Sequence, residues 1–364
     1  MDIGRPSLRI LHLAGGYRAF DLGDPEIRIG PDLQRHMLTI PAQPYNGLFA
    51  ALESIGFQTI GVDFISGQAQ LRMHLPPDFQ TFTLTSGFAT MWGERAWSGV
   101  KNVKSQKTQE ILDLSERFAT YHRLLTLRIR DLSEAYRNSL LAQMTGIDGK
   151  YQVPEDGVLF SSGFQVHIEA ALHAFLADAA SLRDLIGEAT WRLVLQEPSR
   201  NVTTFSTFLK KTRDRTSGHP LLADLQKAGA DGGWIKILTE LRNSVTHIAP
   251  LGNTHELHES QIRFQPFRGG SAPVLHYPLT LADGSTRPRP EPIDFDDHTL
   301  LEARFRVYLE FVNNSGDALL YASKCADQLI AMAIRVREAA GLTHKIRHTT
   351  DADLAGPIHV YPND

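Results

Sequence analysis

The stretch Trp234–Ile248, which reads WIKILTELRNSVTHI, indicates the fold class of this chain. An α-helix turns about 100° per residue, so the direction of each side chain can be counted from Arg242. The apolar side chains then share one arc of about 220° to 320°; they are Trp234, Ile237, Leu238, Leu241, Val245 and Ile248. Such a stripe predicts an amphipathic helix that packs one face against a core.

The polar face of the same helix gathers a cation, an amide, a hydroxyl and an imidazole. With Arg242 at 0°, Thr246 falls at about 40° and Asn243 at about 100°. His247 falls at about 140°, and Glu240 lies two turns before it on nearly the same line. Four polar side chains and one acid therefore share a surface that the apolar stripe holds in place.

These residue types suit the chemistry of a phosphodiester. Arginine presents a permanent charge in a fork that matches phosphate oxygens, and histidine exchanges a proton near neutral pH. RNA carries its own nucleophile, the 2′-hydroxyl, so internal attack needs a proton carrier and a stabiliser of charge on phosphorus, but no metal. We therefore assign His247 as general acid or base and Arg242 as the stabiliser. Asn243 orients the phosphate or ties the helix to its neighbour, and Thr246 and Glu240 support them. The alternative is a solvated helix face.

The arrangement Arg242-Asn243-x-x-x-His247 resembles the Arg-polar-x-x-x-His signature of the HEPN superfamily of helical ribonuclease and nucleotide-binding domains. The resemblance covers residues 106–340. It implies a bundle of four or five helices that usually dimerises, so that two motifs form one composite cleft. The implied activity is a metal-independent endoribonuclease of toxin–antitoxin or antiviral defence systems, without a cofactor. The implied alternative is an inactive module that binds RNA, a nucleotide or a protein partner.

Helical periodicity extends on both sides of this stretch. The clearest seam alternates steps of four and three, which is typical of bundle packing; it comprises Ile168, Leu172, Phe175, Ala179, Leu182, Ile186, Ala189 and Leu193. We expect helices over 108–144, 163–196, 203–214, 221–228, 234–248 and 297–340. The fold is thus predicted to be mainly α, an antiparallel, HEPN-like helical bundle over residues 105–341.

Residues 1–104 have a different pattern and are predicted to form a small α+β N-terminal module or arm. Short β-like runs and one short helix alternate with turn residues; the runs are 8–13, 58–64, 70–74 and 81–85, and the helix is 45–55. The aromatic residues of this part either pack on the bundle or stack nucleic-acid bases, and sparse basic residues favour packing; they are Phe79, Phe82, Phe88, Trp92 and Trp97.

An insertion rich in proline and glycine follows the amphipathic helix over residues 253–294. The runs 261–267 and 272–281 around Gly269-Gly270 predict a β-hairpin. Its three histidines, His255, His258 and His276, are loosely spaced and lack a cysteine, so no metal site is predicted. The C-terminal segment 342–364 is polar and is expected to form a loosely held tail.

A basic cluster lies shortly before the amphipathic helix. Lys210, Lys211, Arg213 and Arg215 face a single neighbouring acid, Asp214. Two interpretations stay open: a solvated helix end with favourable dipole charges, or a patch that binds RNA phosphates beside the motif.

The composition of the chain limits the classes of protein to which it can belong. A net charge of −4 over 364 residues argues against a general nucleic-acid coat protein but permits a local basic groove. The single cysteine, Cys325, excludes an intramolecular disulfide and is expected to be a buried thiol. No run reaches the length of a membrane span and the N-terminus is a poor signal peptide, so we expect a cytoplasmic protein. The expected partners are RNA, a second copy bound through the motif helix, and a regulatory protein, but no membrane.

Overall fold

The computed structural model describes residues 8–65, 78–100, 108–146, 149–197, 201–213, 215, 219–244, 260–280 and 298–342. Within these ranges the chain is mainly helical, and its N-terminal part forms a six-stranded antiparallel sheet. The predicted run 70–74, most of the predicted insertion outside its hairpin and all of the predicted tail after Leu342 lie outside the described residues.

The N-terminal sheet has the strand order β4-β3-β2-β1-β5-β6. Its strands are β1 (Leu8–Leu13), β2 (Arg18–Asp21), β3 (Glu26–Gly30), β4 (Leu38–Pro41), β5 (Thr59–Ile65) and β6 (Asp78–Thr81), and helix α1 (Tyr45–Ser54) lies between β4 and β5 in the chain. The predictions for β1, β5 and α1 are confirmed to within one residue. The run predicted over 81–85 was wrong, since β6 ends at Thr81 and turn residues follow.

The helices that follow match most of the predicted segments. They are α2 (Ala89–Gly99), α3 (Thr108–Gln143), α4 (Gln165–Ala189), α5 (Phe205–Thr212), α6 (Pro220–Gly229), α7 (Trp234–Asn243), α8 (His298–Asn314) and α9 (Ala318–Ala339). A π-helical turn, Thr190–Val194, extends α4. The seam of α4 is buried along its length, because α4 packs against α3, α5, α7 and α9.

The prediction of one last helix over 297–340 was wrong. Helix α8 ends at Asn314, and the short strand β11 (Gly316–Asp317) follows it and pairs with β10 (Pro278–Thr280). The Asp317 carboxylate then accepts hydrogen bonds from the backbone N–H groups of Leu319 and Leu320, so it caps α9 as a separate helix. Phe305 of α8 is 44% exposed.

The predicted hairpin is confirmed as β8 (Ser260–Phe267) and β9 (Gly270–His276), with the two-residue strand β7 (Leu159–Phe160) added beside β8. Its His276 is buried and shares a hydrogen bond with Ser315, while His255 and His258 lie outside the described residues. Cys325 is buried, and burial raises the pKa of its thiol to about 12, as expected of a structural cysteine.

The sheet and the bundle share one hydrophobic core. Trp97 of α2 is fully buried and stacks on Phe118 of α3 with ring centroids 3.9 Å apart, whereas Trp92 is 38% exposed. A tight turn after β1 brings Gly15, with φ +70°, so close to the hairpin that an added Cβ would lie 2.4 Å from the Cβ of Val274. The adjoining Gly16, with φ +94°, leaves 3.1 Å between such an atom and the backbone of Tyr136 in α3. Sheet, bundle and hairpin therefore meet at this glycine pair.

Candidate functional site

A groove of about 1130 Å³ lies among helices α4, α5, α6 and α7. Its described lining includes five cationic side chains, Arg183, Lys210, Arg213, Lys236 and Arg242, and two acidic ones, Asp184 and Asp231. The whole chain has a net charge of −4, so the positive charge of this groove is a local feature. A concave surface of one sign concentrates ligands of the other sign.

One wall of the groove is the last turn of α7. Arg242 and Asn243 line it, and the Arg242 guanidinium donates to Oδ1 of Asn243 over 3.2 Å. The buried face of α7 holds this wall in place through Ile235, Leu238 and Leu241. Thr246 and His247 lie outside the described residues, so their predicted roles rest on the sequence alone.

Glu240 lies on the solvent side of the same helix. Its carboxylate pairs with Lys236 one turn earlier, with 3.3 Å between Nζ and Oε1. Both side chains are more than a third exposed, and Lys236 also lines the groove. The structure therefore gives Glu240 a partner that the sequence analysis did not anticipate.

The predicted basic cluster, at the C-terminal end of α5 and just beyond it, divides between two sites. Lys210 and Arg213, three residues apart, line the same groove as Arg242. Lys211 and Arg215 instead lie over the ring of Trp191, at 5.2 Å and 5.0 Å from its centroid. Arg215 also pairs with Glu197 over 2.6 Å. The structure thus brings only two members of the cluster together with the motif residues.

Arg183 is a groove residue that the sequence analysis missed. It is 8% exposed, and its Nε and Nη2 donate to Oδ1 of Asp184 over 3.0 Å and 2.7 Å. Its Nη1 donates to the hydroxyl of Thr239 in α7 over 2.7 Å. The same Asp184 oxygen accepts the backbone N–H of Phe205 at the start of α5. Arg183 and Asp184 together join α4, α5 and α7, three of the four helices that line the groove. The only trace of this in the sequence is a charged pair inside the apolar seam of α4.

A second cluster of ionisable groups is buried between the sheet and α3. The Nε2 of His12 lies 3.1 Å from Asp63, and its Nδ1 lies 3.1 Å from the hydroxyl of Ser133. We assign the proton to Nε2, since the ionised carboxylate only accepts. Burial lowers the pKa of His12 to about 4. Burial alone would raise the pKa of Asp63, but hydrogen bonds from His12 and Arg130 outweigh it and hold that pKa at about 2.

Glu134 completes this buried network. His12, Asp63 and Glu134 place one ligand atom each within 4.8 Å of one another, which is close enough to hold a metal ion. However, Arg130 forms two hydrogen bonds to Asp63, and Arg18 lies 3.2 Å from the same Glu134 oxygen that would bind the ion. Arg137 lies 3.5 Å from the other Glu134 oxygen, so the two carboxylates already face three guanidinium groups around a neutral imidazole. A divalent cation fits this set poorly, so the network is a structural link.

Comparisons with known proteins identify no relative. No family model matches the chain, and searches of curated proteins and of solved structures found no match. Within the described ranges, no helix combines the length and the apolar character that crossing a bilayer requires.

Proposed function

We propose that this chain is a HEPN-like helical protein that binds RNA in the groove and cleaves it without a metal by attack of the 2′-hydroxyl. One observation supports this most strongly. Two sequence clusters, Lys210 with Arg213 and Arg242 with Asn243, line a single groove in which cations outnumber acids. Contacts between cations and phosphates supply most of the affinity of proteins for nucleic acids, and electrostatic focusing favours such a ligand here.

The proposed roles follow from the chemistry of each group. The Arg242 guanidinium binds the non-bridging oxygens of the scissile phosphate and stabilises the charge that develops there. Asn243 accepts from Arg242 through its carbonyl, which leaves its amide N–H groups for a phosphate or a 2′-hydroxyl. His247 carries the proton, and Thr246 supports it. Lys210 and Arg213 bind flanking phosphates.

The activity is tested with a fluorescent single-stranded RNA in excess EDTA. Cleavage is expected to persist and to leave a 2′,3′-cyclic phosphate or its hydrolysis product. Removing the proton carrier or the stabiliser, in His247→Ala or Arg242→Ala, is expected to lower the rate by a factor of about 10² or more. Lys211→Ala is the matched control and retains the wild-type rate. Wild-type activity in either motif variant would remove the assignment.

A binding module without catalytic activity is the second candidate. It is favoured by the fact that no histidine is found among the described residues that line the groove, so these residues bind an anion but do not exchange its proton. Purified protein that binds RNA with its groove cations but does not cut it, alone or with candidate activators, would support this candidate.

The proposal extends to assembly and biological setting. A second copy that meets the first through the motif helix would give a composite site with two copies of Arg242 and His247. Mixing Arg242→Ala chains with His247→Ala chains under subunit exchange is then expected to restore activity that neither variant has. An uncontrolled ribonuclease harms its host, so we place this one in a toxin–antitoxin or antiviral system under a regulatory partner. RNA-end sequencing from cells expressing the wild type or His247→Ala tests that setting.

A further inference from the structure

We infer that Arg183 forms a second phosphate-binding site on the floor of the groove, so that the ligand is a single-stranded oligonucleotide held by consecutive phosphates. This inference rests on the proposed function, because it takes the groove to be the RNA site. It adds Arg183 to the residues that bind RNA, and it requires a ligand with consecutive phosphates, neither of which the motif specifies.

The first argument is the preorganisation of the side chain. Asp184 and Thr239 fix the plane of the guanidinium through three N–H groups. A guanidinium has five, so two remain for a ligand within the described structure. A guanidinium that is already ordered loses little side-chain entropy when it binds an anion.

The second argument is position. Arg183 borders the cavity although it is more than nine-tenths buried. Its anchor Thr239 precedes Arg242 by three residues on α7, which corresponds to about 4.5 Å along the helix axis. Arg183 and Arg242 therefore offer two neighbouring phosphate sites in the groove. Successive phosphates of one strand require such neighbouring sites. A single strand of nucleic acid can place its phosphates inside such a groove. A duplex is a wider cylinder with its phosphates on the outside, so it fits the groove less well.

The third argument concerns the negative charge of the neighbouring Asp184, which hydrogen-bond donors surround. One Asp184 oxygen accepts two N–H groups of Arg183 and the N–H of Phe205 in the first turn of α5. These donors and the helix dipole stabilise its negative charge, which reduces its repulsion of a phosphate. Lys210 and Lys236 line the same cavity and add attraction.

The test measures the affinity for a labelled single-stranded RNA over a range of salt concentrations. Each phosphate contact to a single strand contributes about 0.7 to the slope of log K against log salt concentration. Arg183→Gln is expected to reduce the slope by about 0.7 and the affinity by about tenfold. Arg183→Lys keeps the charge and the slope. Thr239→Val, the matched control, releases the clamp, weakens binding less than Arg183→Gln does, and leaves the slope unchanged.

A second variant keeps the inference testable if Arg183→Gln does not fold. Asp184→Asn with Arg183→Gln removes both partners of the buried pair together, and its salt slope is expected to be about 0.7 lower than that of Asp184→Asn alone, which keeps Arg183. An unchanged slope in folded Arg183→Gln, or equal slopes in the single and the double variant, overturns the inference while the proposed function stands. Absence of RNA binding by the wild type at low salt would instead overturn the proposed function itself.

Discussion

The buried network around His12 and the basic groove both bring arginines close to carboxylates, but they differ in the excess of positive charge and in access. In the network, two carboxylates face three guanidinium groups around a neutral imidazole, and His12 and Arg18 are almost completely buried. In the groove, five cations face two acids along an open cavity. A cluster of ionisable residues therefore indicates a binding site only where one charge is in clear excess and a ligand can reach it.

The largest expected effect is the loss of a buried partner. Asp63→Leu leaves Arg130 and His12 without their carboxylate, and breaking a buried pair in this way costs about 3–5 kcal/mol. Urea denaturation is expected to show this loss, while the protein that remains folded binds RNA normally. The matched control is Asp24→Asn, whose exposed pair with Arg28 contributes less than about 1 kcal/mol. Equal losses in the two variants would contradict the structural role of the network.

The free energy of unfolding is expected to fall at acid pH because of the buried histidines. Burial lowers the pKa of His122 in α3 from 6.5 to about 3, and neither ring nitrogen has a hydrogen-bond partner among the described residues. Below pH 6.5 the unfolded chain takes up a proton that the folded chain does not hold, so stability falls progressively from pH 6.5 toward pH 3. At pH 5 this costs about 2 kcal/mol.

The control for this titration is His122→Leu. It is expected to lose about 2 kcal/mol less than the wild type between pH 7 and pH 5 in urea denaturation. His12, whose pKa is lowered to about 4, remains in the variant and maintains part of the acid sensitivity. If wild type and variant lost the same stability, His122 would not be neutral and buried in the folded protein.

The divided basic cluster gives a direct test of the groove. Lys210→Ala with Arg213→Ala removes two groove cations and is expected to lower the salt slope of RNA binding by about 1.4, with little change in stability. Lys211→Ala with Arg215→Ala removes the same charge from the face of Trp191. That pair is expected to keep RNA affinity and to lose about 1 kcal/mol of stability. Similar RNA binding by both double variants would argue against the groove.

The smallest expected effect concerns Glu240. Glu240→Gln releases Lys236, a groove cation, from its ion pair, so RNA affinity is expected to rise about twofold. The free energy of unfolding changes by less than about 0.5 kcal/mol. If Glu240 supports His247 in catalysis, the cleavage rate falls even though binding improves. Measuring both quantities on the same protein separates the two roles.

The features that the sequence predicted depend on local patterns. The helical seam of α4, the short β-like run of β1 and the turn at Gly269 each lie within one continuous segment, so local patterns and turn chemistry are sufficient. Strands β2, β3 and β4 were missed because they have only four or five residues, and only pairing across the sheet stabilises them. The break before α9 depends on β10, which comes from a distant part of the chain.

In the candidate site, too, residues with a local sequence pattern were predicted and residues that depend on distant contacts were missed. Arg242 and Asn243 were predicted because helical spacing places them on one face, and the structure locates both in the groove. Periodicity also separates Lys210 and Arg213 from Lys211 and Arg215, but it does not indicate which pair lines the groove with Arg242. Arg183 was missed because its partner Thr239 lies 56 positions along the chain.

The glycine pair after β1 bears on how tolerance to mutation is interpreted in this protein. Any side chain at Gly15 collides with Val274 and also requires a left-handed backbone, and Gly16 is confined by the backbone of α3. Neither glycine lines the groove. A survey of all single substitutions would therefore score both positions as intolerant, alongside the residues that bind the ligand. Measuring abundance and RNA binding separately would distinguish them, because the glycine variants would reduce the amount of protein and variants of the exposed groove cations Lys210 and Arg213 would not.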